Sequence, residues 1–337
     1  MTLTPGIQAT FARYSTAIME AMRQALSRAS INTLPTQATD LSPFYGQMQY
    51  HLGWVESDFS TVASNPGKLL RPTLLLLAYE LAGAWGLNAD TSPTALQRAL
   101  PAAAALELTH NFTLIHDDIV DGDTERHHRP TLWTIWGSEQ GINTGDGLFA
   151  LGRLALWDSL AVGVESEVAV RLAAALDRAC LVIAEGQYLD LSFEKRQDIS
   201  VAMYEDMISR KTAALMGCAT EMGALLGTRD AATIESLRTF GLEIGIAFQL
   251  RDDVLGVWAS SVELGKTPAG DLYRRKKSLP ILHALEHASP EDQRVLRQLY
   301  EQETPLSESQ VATILEIFTR THTRIHCLSC LSEQCAR

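Results

Sequence analysis

Apolar side chains recur along most of the chain at intervals of three and four residues, the period of an amphipathic α-helix. This pattern predicts helices over residues 7–30, 68–83, 101–120, 143–161, 165–191, 201–226 and 233–258. Alternating runs typical of strands do not interrupt the last four segments. Residues 32–43 predict a loop, and Tyr50, His51 and Trp54 predict a packed turn to which we assign no chemistry. The fold class expected is therefore all-α.

The chain contains no Pro/Gly/Ser-rich linker or shift in composition long enough to separate domains. Residues 1–337 are therefore predicted to form a single helical domain. Hydrophobic residues make up 46% of the chain and charged residues only 20%, which is enough apolar material for a large core and argues against disorder.

Charge and hydropathy restrict the classes of partner and the cellular location that we expect. The net charge of −12, without a basic patch to offset it, argues against nucleic acid. Residues 69–87 are strongly apolar, but Arg71 and Glu80 interrupt them, so a buried helix is preferred to a membrane span. Residues 1–31 lack the apolar core of a signal peptide, and a cytoplasmic location is expected.

The five cysteines are an odd number and suggest reduced thiols rather than a disulfide framework. The C-terminal tail brings His322, His326, Cys327, Cys330 and Cys335 within fourteen residues, so a zinc site is an alternative there. A second CxxC pair is missing, which makes zinc the less favoured interpretation.

Three aspartates, Asp117, Asp118 and Asp121, end the otherwise apolar helix predicted over 101–120. Asp117 and Asp121 are four residues apart, so their carboxylates share one helix face and repel each other unless a cation lies between them. Magnesium suits this pair because it takes one or two carboxylates and leaves positions for water and substrate phosphate. A solvated acidic helix end is the simpler alternative.

Two more aspartates, Asp252 and Asp253, interrupt another apolar helix, and two such clusters favour a metal site shared between helices. Lys68 and Arg71 lie three residues apart at the start of the helix predicted over 68–83. Backbone N–H groups and the helix dipole add to these two cations, so the arrangement predicts anion binding.

Six motifs follow one another along the chain. They are GKLLRP at 67–72, DDIVD at 117–121, KT at 211–212, FQLRDD at 248–253, GK at 265–266 and DLYRRKKSLP at 271–280. In this order they resemble the motifs of the trans-isoprenyl diphosphate synthases, the polyprenyl synthetase family. Each motif is weak alone, but six in family order with compatible spacing make the resemblance specific, and the match covers most of the chain. The resemblance implies a helical bundle around a central apolar cavity, a homodimer, and head-to-tail (1′-4) condensation of isopentenyl diphosphate with an allylic diphosphate.

The resemblance also implies roles for individual residues. Magnesium, as three ions with the allylic diphosphate, would be held by Asp117, Asp121 and Asp252. Isopentenyl diphosphate would be held by Lys68, Arg71 and His110. The allylic diphosphate or the cavity around it would involve Arg126, Lys211, Thr212, Gln249, Lys266 and Lys276, with Gln187 and Asp190 either lining the cavity or joining helices.

Two positions depart from the family pattern. His127 stands where the family commonly has a second arginine for isopentenyl diphosphate, and Arg129 is the candidate substitute. Gly256 stands where a third aspartate often completes the second aspartate-rich motif, which leaves Asp252 as metal ligand and Asp253 behind it.

Product length is expected to depend on the residues before the first motif. Phe112 and Thr113 lie five and four residues upstream of Asp117, and an aromatic followed by a small residue resembles the geranylgeranyl (C20) pattern, with farnesyl (C15) as the alternative. A class I terpene cyclase and a non-catalytic regulatory subunit remain as rival functions. GKLLRP argues against the cyclase, and the retained first-motif aspartates and Lys211 argue against the subunit.

Overall fold

The computed structural model describes residues 5–31, 39–62, 67, 69–83, 93–194, 196–259 and 269–337. The first half contains six helices and one hairpin among these residues. Helices α1 (Pro5–Ile31), α2 (Ser42–His51), α3 (Leu70–Leu81) and α4 (Pro93–Val120) precede strands β1 (Glu125–Arg126) and β2 (Arg129–Pro130), and helices α5 (Leu132–Trp136) and α6 (Ser138–Trp157) follow. A short 3₁₀ helix, Asp158–Leu160, extends α6.

The second half is also helical. It consists of α7 (Ser166–Glu194), α8 (Val201–Ile208), a π-helical turn (Ser209–Ala213), α9 (Ala214–Gly227), α10 (Ala231–Trp258), α11 (Gly270–Tyr273), α12 (Leu279–His287), α13 (Pro290–Glu301), α14 (Glu308–Arg320) and α15 (Thr323–Ala336). The all-α prediction is confirmed, because 79% of the structure is helical and strands are nearly absent from the described residues.

The chain divides into two compact units. The first comprises Met1–Asp177 and Cys218–Arg238, and the second comprises Arg178–Gly217 and Thr239–Arg337. The prediction of a single domain therefore stays a prediction.

The core of the first unit is built around α4, which packs along α6. Its residues 102–106 are almost fully inaccessible to solvent. Gly152 of α6 allows this close approach, since a Cβ there would lie 2.7 Å from Thr109 Oγ1 and 3.1 Å from the Ala105 carbonyl oxygen. Apolar burial of this kind is the main stabilising term for such a helix pair.

Helix α4 begins eight residues earlier than the sequence pattern predicted, and Pro101 lies in its interior. A proline inside a helix removes one backbone hydrogen bond and normally marks a start or a kink. Here Ala95 and Ala99 are buried before the proline, so the buried face continues through it. The predicted start at residue 101 was wrong because packing outweighed the local penalty.

In the second unit, α8, the end of α10 and helices α12 to α15 surround one apolar core that includes Tyr204, Leu296, Ile314 and Phe318. The C-terminal tail belongs to this core as helix α15, with Thr323 and Cys327 buried. Among the described residues no group of three or more His, Cys, Asp or Glu side chains is placed to hold a metal ion. The alternative zinc site in the tail is therefore not supported.

The predicted 201–226 helix is divided by the π-helical turn Ser209–Ala213. Such turns insert one residue into a helix and often occur at functional sites. Across the described part of the chain, no helix has both the length and the apolar character that a membrane span requires.

Candidate active site

The carboxylates of the first aspartate cluster lie at the C-terminal end of α4. The backbone N–H of Asp121 donates to the Asp117 carbonyl at 2.8 Å, which fixes the two residues one helical turn apart. Gly122, with φ of 66°, then ends the helix, and Asp123 N–H donates back to the Asp118 carbonyl at 2.9 Å. This is a Schellman ending. Acidic side chains here meet the negative end of the helix dipole, which favours a bound cation.

Asp118 has a different environment from its two neighbours. It is only 2% exposed, and the Arg126 guanidinium binds it in a bidentate manner, with Nη2 to Oδ1 at 2.7 Å and Nε to Oδ2 at 3.1 Å. Arg126 is carried by strand β1, whose two-residue turn places both His127 and His128 at positive φ, 52° and 61°. The hairpin is therefore fixed to α4 by a buried ion pair.

A group of cations and imidazoles lies two turns before the aspartates on α4. Arg71 Nη1 donates to His110 Nε2 at 2.9 Å. Burial lowers the pKa of His110 well below its usual range, and the nearby Arg71 and Arg126 charges lower it further. Burial raises the pKa of the buried Glu107, although the charge of Arg71 acts to lower it. The arrangement favours an anion.

In the second unit, the π-helical turn presents Lys211 and Thr212. Lys211 Nζ binds Asp190 Oδ2 at 2.5 Å, and Thr212 Oγ1 donates to Gln249 Oε1 at 2.7 Å. Both therefore contact neighbouring helices directly. Gln187, the other residue predicted for this region, has no hydrogen-bond partner for either amide atom among the described residues.

The two aspartates of the second cluster also differ in exposure. Asp253 is buried and accepts hydrogen bonds from Gln249 Nε2 at 2.9 Å, from Leu279 N–H at 3.3 Å and from the Tyr204 hydroxyl. Burial raises the pKa of Asp253 to about 6. The Asp252 side chain is 42% exposed and lies 4.0 Å from Arg251 Nη1. Of the two carboxylates, Asp252 is the one that a ligand can reach.

Gly256 stands where the family often has a third aspartate, and the carboxylate of another acid, Asp271, lies beside it. A Cβ at Gly256 would overlap the carboxylate of Asp271, the first residue of the DLYRRKKSLP motif. Asp271 also pairs with Arg274 Nη2 at 3.4 Å, and its backbone carbonyl accepts from Lys276 N–H at 3.0 Å. Lys276 is partly exposed on this segment. The predicted site residues Lys68 and Lys266 lie outside the described residues.

Comparison with known proteins agrees with the motifs. The polyprenyl synthetase family model matches residues 53–318. The chain belongs to the polyprenyl synthetase family. A geranylgeranyl diphosphate synthase of Mycobacterium tuberculosis is 41% identical to it over 263 residues, 78% of this chain and 71% of that protein. A (2E,6E)-farnesyl diphosphate synthase of Mycobacterium bovis is 36% identical over 288 residues, 85% and 76% of the two chains.

A solved structure of this family has the same fold. The polyprenyl synthetase from Streptomyces coelicolor superposes with a TM-score of 0.82 at 32% sequence identity, covering 97% of this chain and 91% of that one. The family resemblance predicted from the six motifs is thus confirmed, together with the prenyltransferase class of enzyme.

In this polyprenyl synthetase, Phe112 and Thr113, the residues predicted to set product length, lie on α4. Phe112 meets Phe149 of α6 edge to face, with ring centroids 5.1 Å apart, and it meets His116 at 5.7 Å. Thr113 Oγ1 donates to the His110 carbonyl at 2.7 Å. Both are partly exposed, so packing between α4 and α6 leaves part of each side chain accessible.

Arg129, the candidate substitute for the missing second arginine, is held elsewhere. Its Nη1 donates to the Tyr50 carbonyl at 3.1 Å and its Nη2 to the Val55 carbonyl at 2.6 Å, and its guanidinium lies 4.2 Å from the centre of the Tyr50 ring. These contacts indicate that Arg129 joins β2 to α2 and to the segment that follows it, and they argue against a role as substitute clamp.

Sequence reasoning missed three polar groups of this synthetase. Tyr204 and Asp271 lie near Asp253 and Gly256 of the second aspartate cluster, and His51 is near enough to His110 to lower its pKa. Asp271 could have been noticed as an unassigned acid inside a quoted motif. A lone histidine next to aromatic residues gives no such signal.

The carboxylates fit magnesium by their chemistry. Asp117 and Asp121 offer hard oxygen ligands at the negative end of a helix, and Asp118, already neutralised by Arg126, does not compete for the ion. A preassembled group of three ligands is absent from the described residues, but magnesium needs only one or two carboxylates when substrate phosphate supplies the rest.

Proposed function

We propose that this chain condenses isopentenyl diphosphate with an allylic diphosphate, head to tail, and that geranylgeranyl diphosphate (C20) is its main product. The observation that carries the proposal is the presence, along α4, of two different sites suited to a diphosphate. One consists of the aspartates Asp117 and Asp121 at the helix end, which would bind a diphosphate through magnesium, and the other is the Arg71–His110 pair two turns earlier. A terpene cyclase, with one diphosphate substrate, has no use for the second site.

In this proposal Asp117, Asp121 and Asp252 would hold magnesium, as three ions with the allylic diphosphate. Bound magnesium would supply positive charge that stabilises the departing pyrophosphate and so lowers the barrier to breaking the allylic C–O bond. Arg126 and Lys211 add positive charge, and Lys266 and Lys276 are the further candidates from the motifs. Thr212 and Gln249 orient one another through their hydrogen bond and position the neighbouring Asp253.

Lys68, Arg71 and His110 bind isopentenyl diphosphate, so that its double bond attacks the allylic cation. The released pyrophosphate accepts the proton that the new product loses. A protein general base is therefore not required. We place the enzyme in the cytoplasm.

The metal assignment is tested with Asp117→Asn and Asp121→Asn. Each is expected to lower turnover by several orders of magnitude, while stability without magnesium holds or rises because like charges at a helix C-terminus are removed. Asp146→Asn, at a side chain that is 70% exposed on α6, is the matched control. Turnover near wild type in both α4 variants would end the proposal.

Product length rests on Phe112 and Thr113, and the relatives named as geranylgeranyl and farnesyl synthases support C20, with C15 as the alternative. Phe112→Ala should lengthen the product, since it removes a ring from the α4–α6 packing, and Thr113→Phe should shorten it. Chromatography of products made from labelled isopentenyl diphosphate gives the answer, with Phe240→Ala at an exposed ring of α10 as control. Unchanged product length in both variants would assign the limit to other residues.

A homodimer is proposed from the exposed apolar side chains of α6. Ile142, Leu154 and Trp157 are 48%, 59% and 46% exposed and fall within roughly 120° of the helix circumference. Light scattering should give the mass of two chains for the wild type and a shift to monomer for Leu154→Glu. Ile325→Glu, at an equally exposed position of α15, should not change the mass.

A further inference from the structure

The short helix α11 ends in a left-handed turn at Arg275. The backbone N–H of Lys276 donates to the Asp271 carbonyl at 3.0 Å, and that of Arg275 donates to the Leu272 carbonyl at 2.8 Å. These two bonds are those of a Schellman ending, whose left-handed position usually belongs to glycine because a Cβ is disfavoured there. Arg275 occupies this position with φ of 52°. The turn therefore needs support from elsewhere in the structure.

The side chain of Arg275 supplies this support. Its Nη1 donates to the carbonyl oxygen of Gln302, the C-cap of α13, and to that of Thr304 at 3.2 Å. These carbonyls lie at and just beyond the C-terminus of a helix, where the helix dipole favours a cation. The guanidinium thus offsets the conformational cost of the left-handed backbone.

The basic residues on either side of Lys276 have partners within the protein. Arg274 Nη2 pairs with Asp271 at 3.4 Å, and Lys277 Nζ donates to the carbonyl of Glu194, the last residue of α7, at 3.1 Å. The Lys276 side chain is partly exposed and forms no hydrogen bond or ion pair within the described residues. Of these adjacent cations, Lys276 is the one whose charge the described part of the chain leaves for a ligand.

The segment that carries Lys276 runs along the end of α10, beside the second aspartate cluster. The Asp271 carboxylate lies next to Gly256, and the Leu279 N–H donates to Asp253 Oδ2 at 3.3 Å. Lys276 lies between these two contacts, three residues before Leu279, a stretch that spans at most about 11 Å. The Lys276 backbone is therefore held close to the cluster proposed to bind the allylic diphosphate through magnesium.

We propose that Arg275 is a positioning residue whose side chain holds the left-handed turn and so directs the Lys276 ammonium towards the diphosphate of the allylic substrate. This inference rests on the proposed function, which assigns Lys276 to that diphosphate. Arg275 itself does not contact the substrate, because its guanidinium binds two backbone carbonyls. It contributes a backbone conformation rather than positive charge.

The cost of the left-handed conformation sets the size of the expected effect. A residue that has a Cβ and no tether populates this conformation about five- to thirty-fold less than the right-handed one, whereas glycine populates both about equally. The apparent affinity for the allylic diphosphate falls with the population of the turn that presents Lys276. Loss of the Arg275 tether should therefore have a large effect with alanine and a small effect with glycine.

Three substitutions of Arg275 separate conformation from charge. Arg275→Ala should raise KM for the allylic diphosphate by about five- to thirty-fold, and Arg275→Gly should raise it by about twofold. Arg275→Asn should fall between them, because asparagine tolerates the left-handed region better than alanine does. All three variants lose the same charge, so an effect of charge alone would be equal in all of them. KM for isopentenyl diphosphate should stay unchanged in each variant.

A double-mutant cycle tests whether Arg275 acts through Lys276. Lys276→Ala alone should raise KM for the allylic diphosphate by about ten- to a hundred-fold, the effect of losing one charged hydrogen bond. Adding Arg275→Ala should then cause no further rise, because the turn has no ammonium left to direct. A purely structural role of Arg275 would instead make the two effects multiply.

His322→Ala is the matched control. His322 also has a left-handed backbone, with φ of 54°, but it is the N-cap of α15 and lies outside the proposed site, so both KM values should stay at the wild-type level. Calorimetry checks that each variant is folded. If Arg275→Ala does not fold, the comparison of Arg275→Gly with Arg275→Asn makes the same distinction.

Equal KM values for the allylic diphosphate in the Arg275 variants would overturn the inference, and so would a further rise when Arg275→Ala is added to Lys276→Ala. In either case, product formation by the wild type would leave the synthase proposal standing. A wild type that forms no prenyl diphosphate from the two substrates would overturn both.

Discussion

The buried pair of Asp118 and Arg126 should contribute strongly to stability, independently of catalysis. The Asp118 side chain is 3% exposed and that of Arg126 is 26% exposed, and three hydrogen-bond contacts join them. Arg126→Ala removes the bidentate partner of a carboxylate in the core. Breaking a buried pair in this way costs about 3–5 kcal/mol, and the partial exposure of Arg126 places the effect near the lower end, at about 3 kcal/mol.

For a unit of about 200 residues, each kcal/mol lowers the melting temperature by about 2–4 °C, so Arg126→Ala should melt about 6–12 °C below the wild type. Differential scanning calorimetry of the magnesium-free protein measures this. Adding Asp118→Asn to Arg126→Ala removes the buried charge that has lost Arg126 and should restore part of the loss.

The control is the exposed pair of Arg196 and Asp198, which has the same chemistry at 2.6 Å on the surface. Arg196→Ala should leave the melting temperature within about 1 °C of wild type, because solvent screens such pairs. A similar small change in Arg126→Ala, or no recovery in the double variant, would refute the reasoning that burial makes this pair important.

Three further predictions concern single positions. Restoring the family arginine with His127→Arg should lower KM for isopentenyl diphosphate. Arg129→Ala should lower the stability of the fold and raise this KM only slightly, because Arg129 binds two backbone carbonyls. A large rise in KM would instead assign Arg129 to the substrate site. Gly256→Ala should destabilise the protein by overlap with the Asp271 carboxylate, and the second change Asp271→Gly should relieve it; equal melting temperatures for wild type and Gly256→Ala would contradict the overlap. Burial lowers the pKa of His283 to about 4, so as pH falls this histidine becomes protonated in the unfolded chain before it does in the folded protein. The free energy of unfolding should therefore fall by up to about 3 kcal/mol between about pH 6.5 and pH 4. His283→Asn should reduce this pH dependence, and an unchanged dependence would show that other groups cause it.

Periodicity and motifs were sufficient for the fold class and the family, because both depend on local patterns repeated along the chain. The same patterns could not locate the π-helical turn at Lys211 or the start of α4 ahead of Pro101, since packing decides these and it is not encoded in nearby residues. The roles of Asp118 and Asp253 required knowledge of burial.

In the candidate site, too, sequence patterns identified some residues and missed those that depend on packing. The proposed reactive groups were named from the sequence, but several residues that contact them in the structure were not. Arg129 was the candidate substitute for the second arginine because it lies near that position in the sequence, yet its guanidinium donates to two backbone carbonyls.

The π-helical turn at Ser209–Ala213 makes the surrounding helices sensitive to insertions and deletions rather than to substitutions. Its backbone bulges against Gly186 of α7, where any Cβ would overlap Lys211. One residue more than a regular helix needs is stored there, and removing it would rotate α8 by about 100° relative to α9. Tyr204 would then turn away from Asp253 and lose its hydrogen bond, although neither residue had been changed. Length in this segment is therefore constrained as strictly as residue identity, and tolerated gaps in related sequences should avoid residues 201–227.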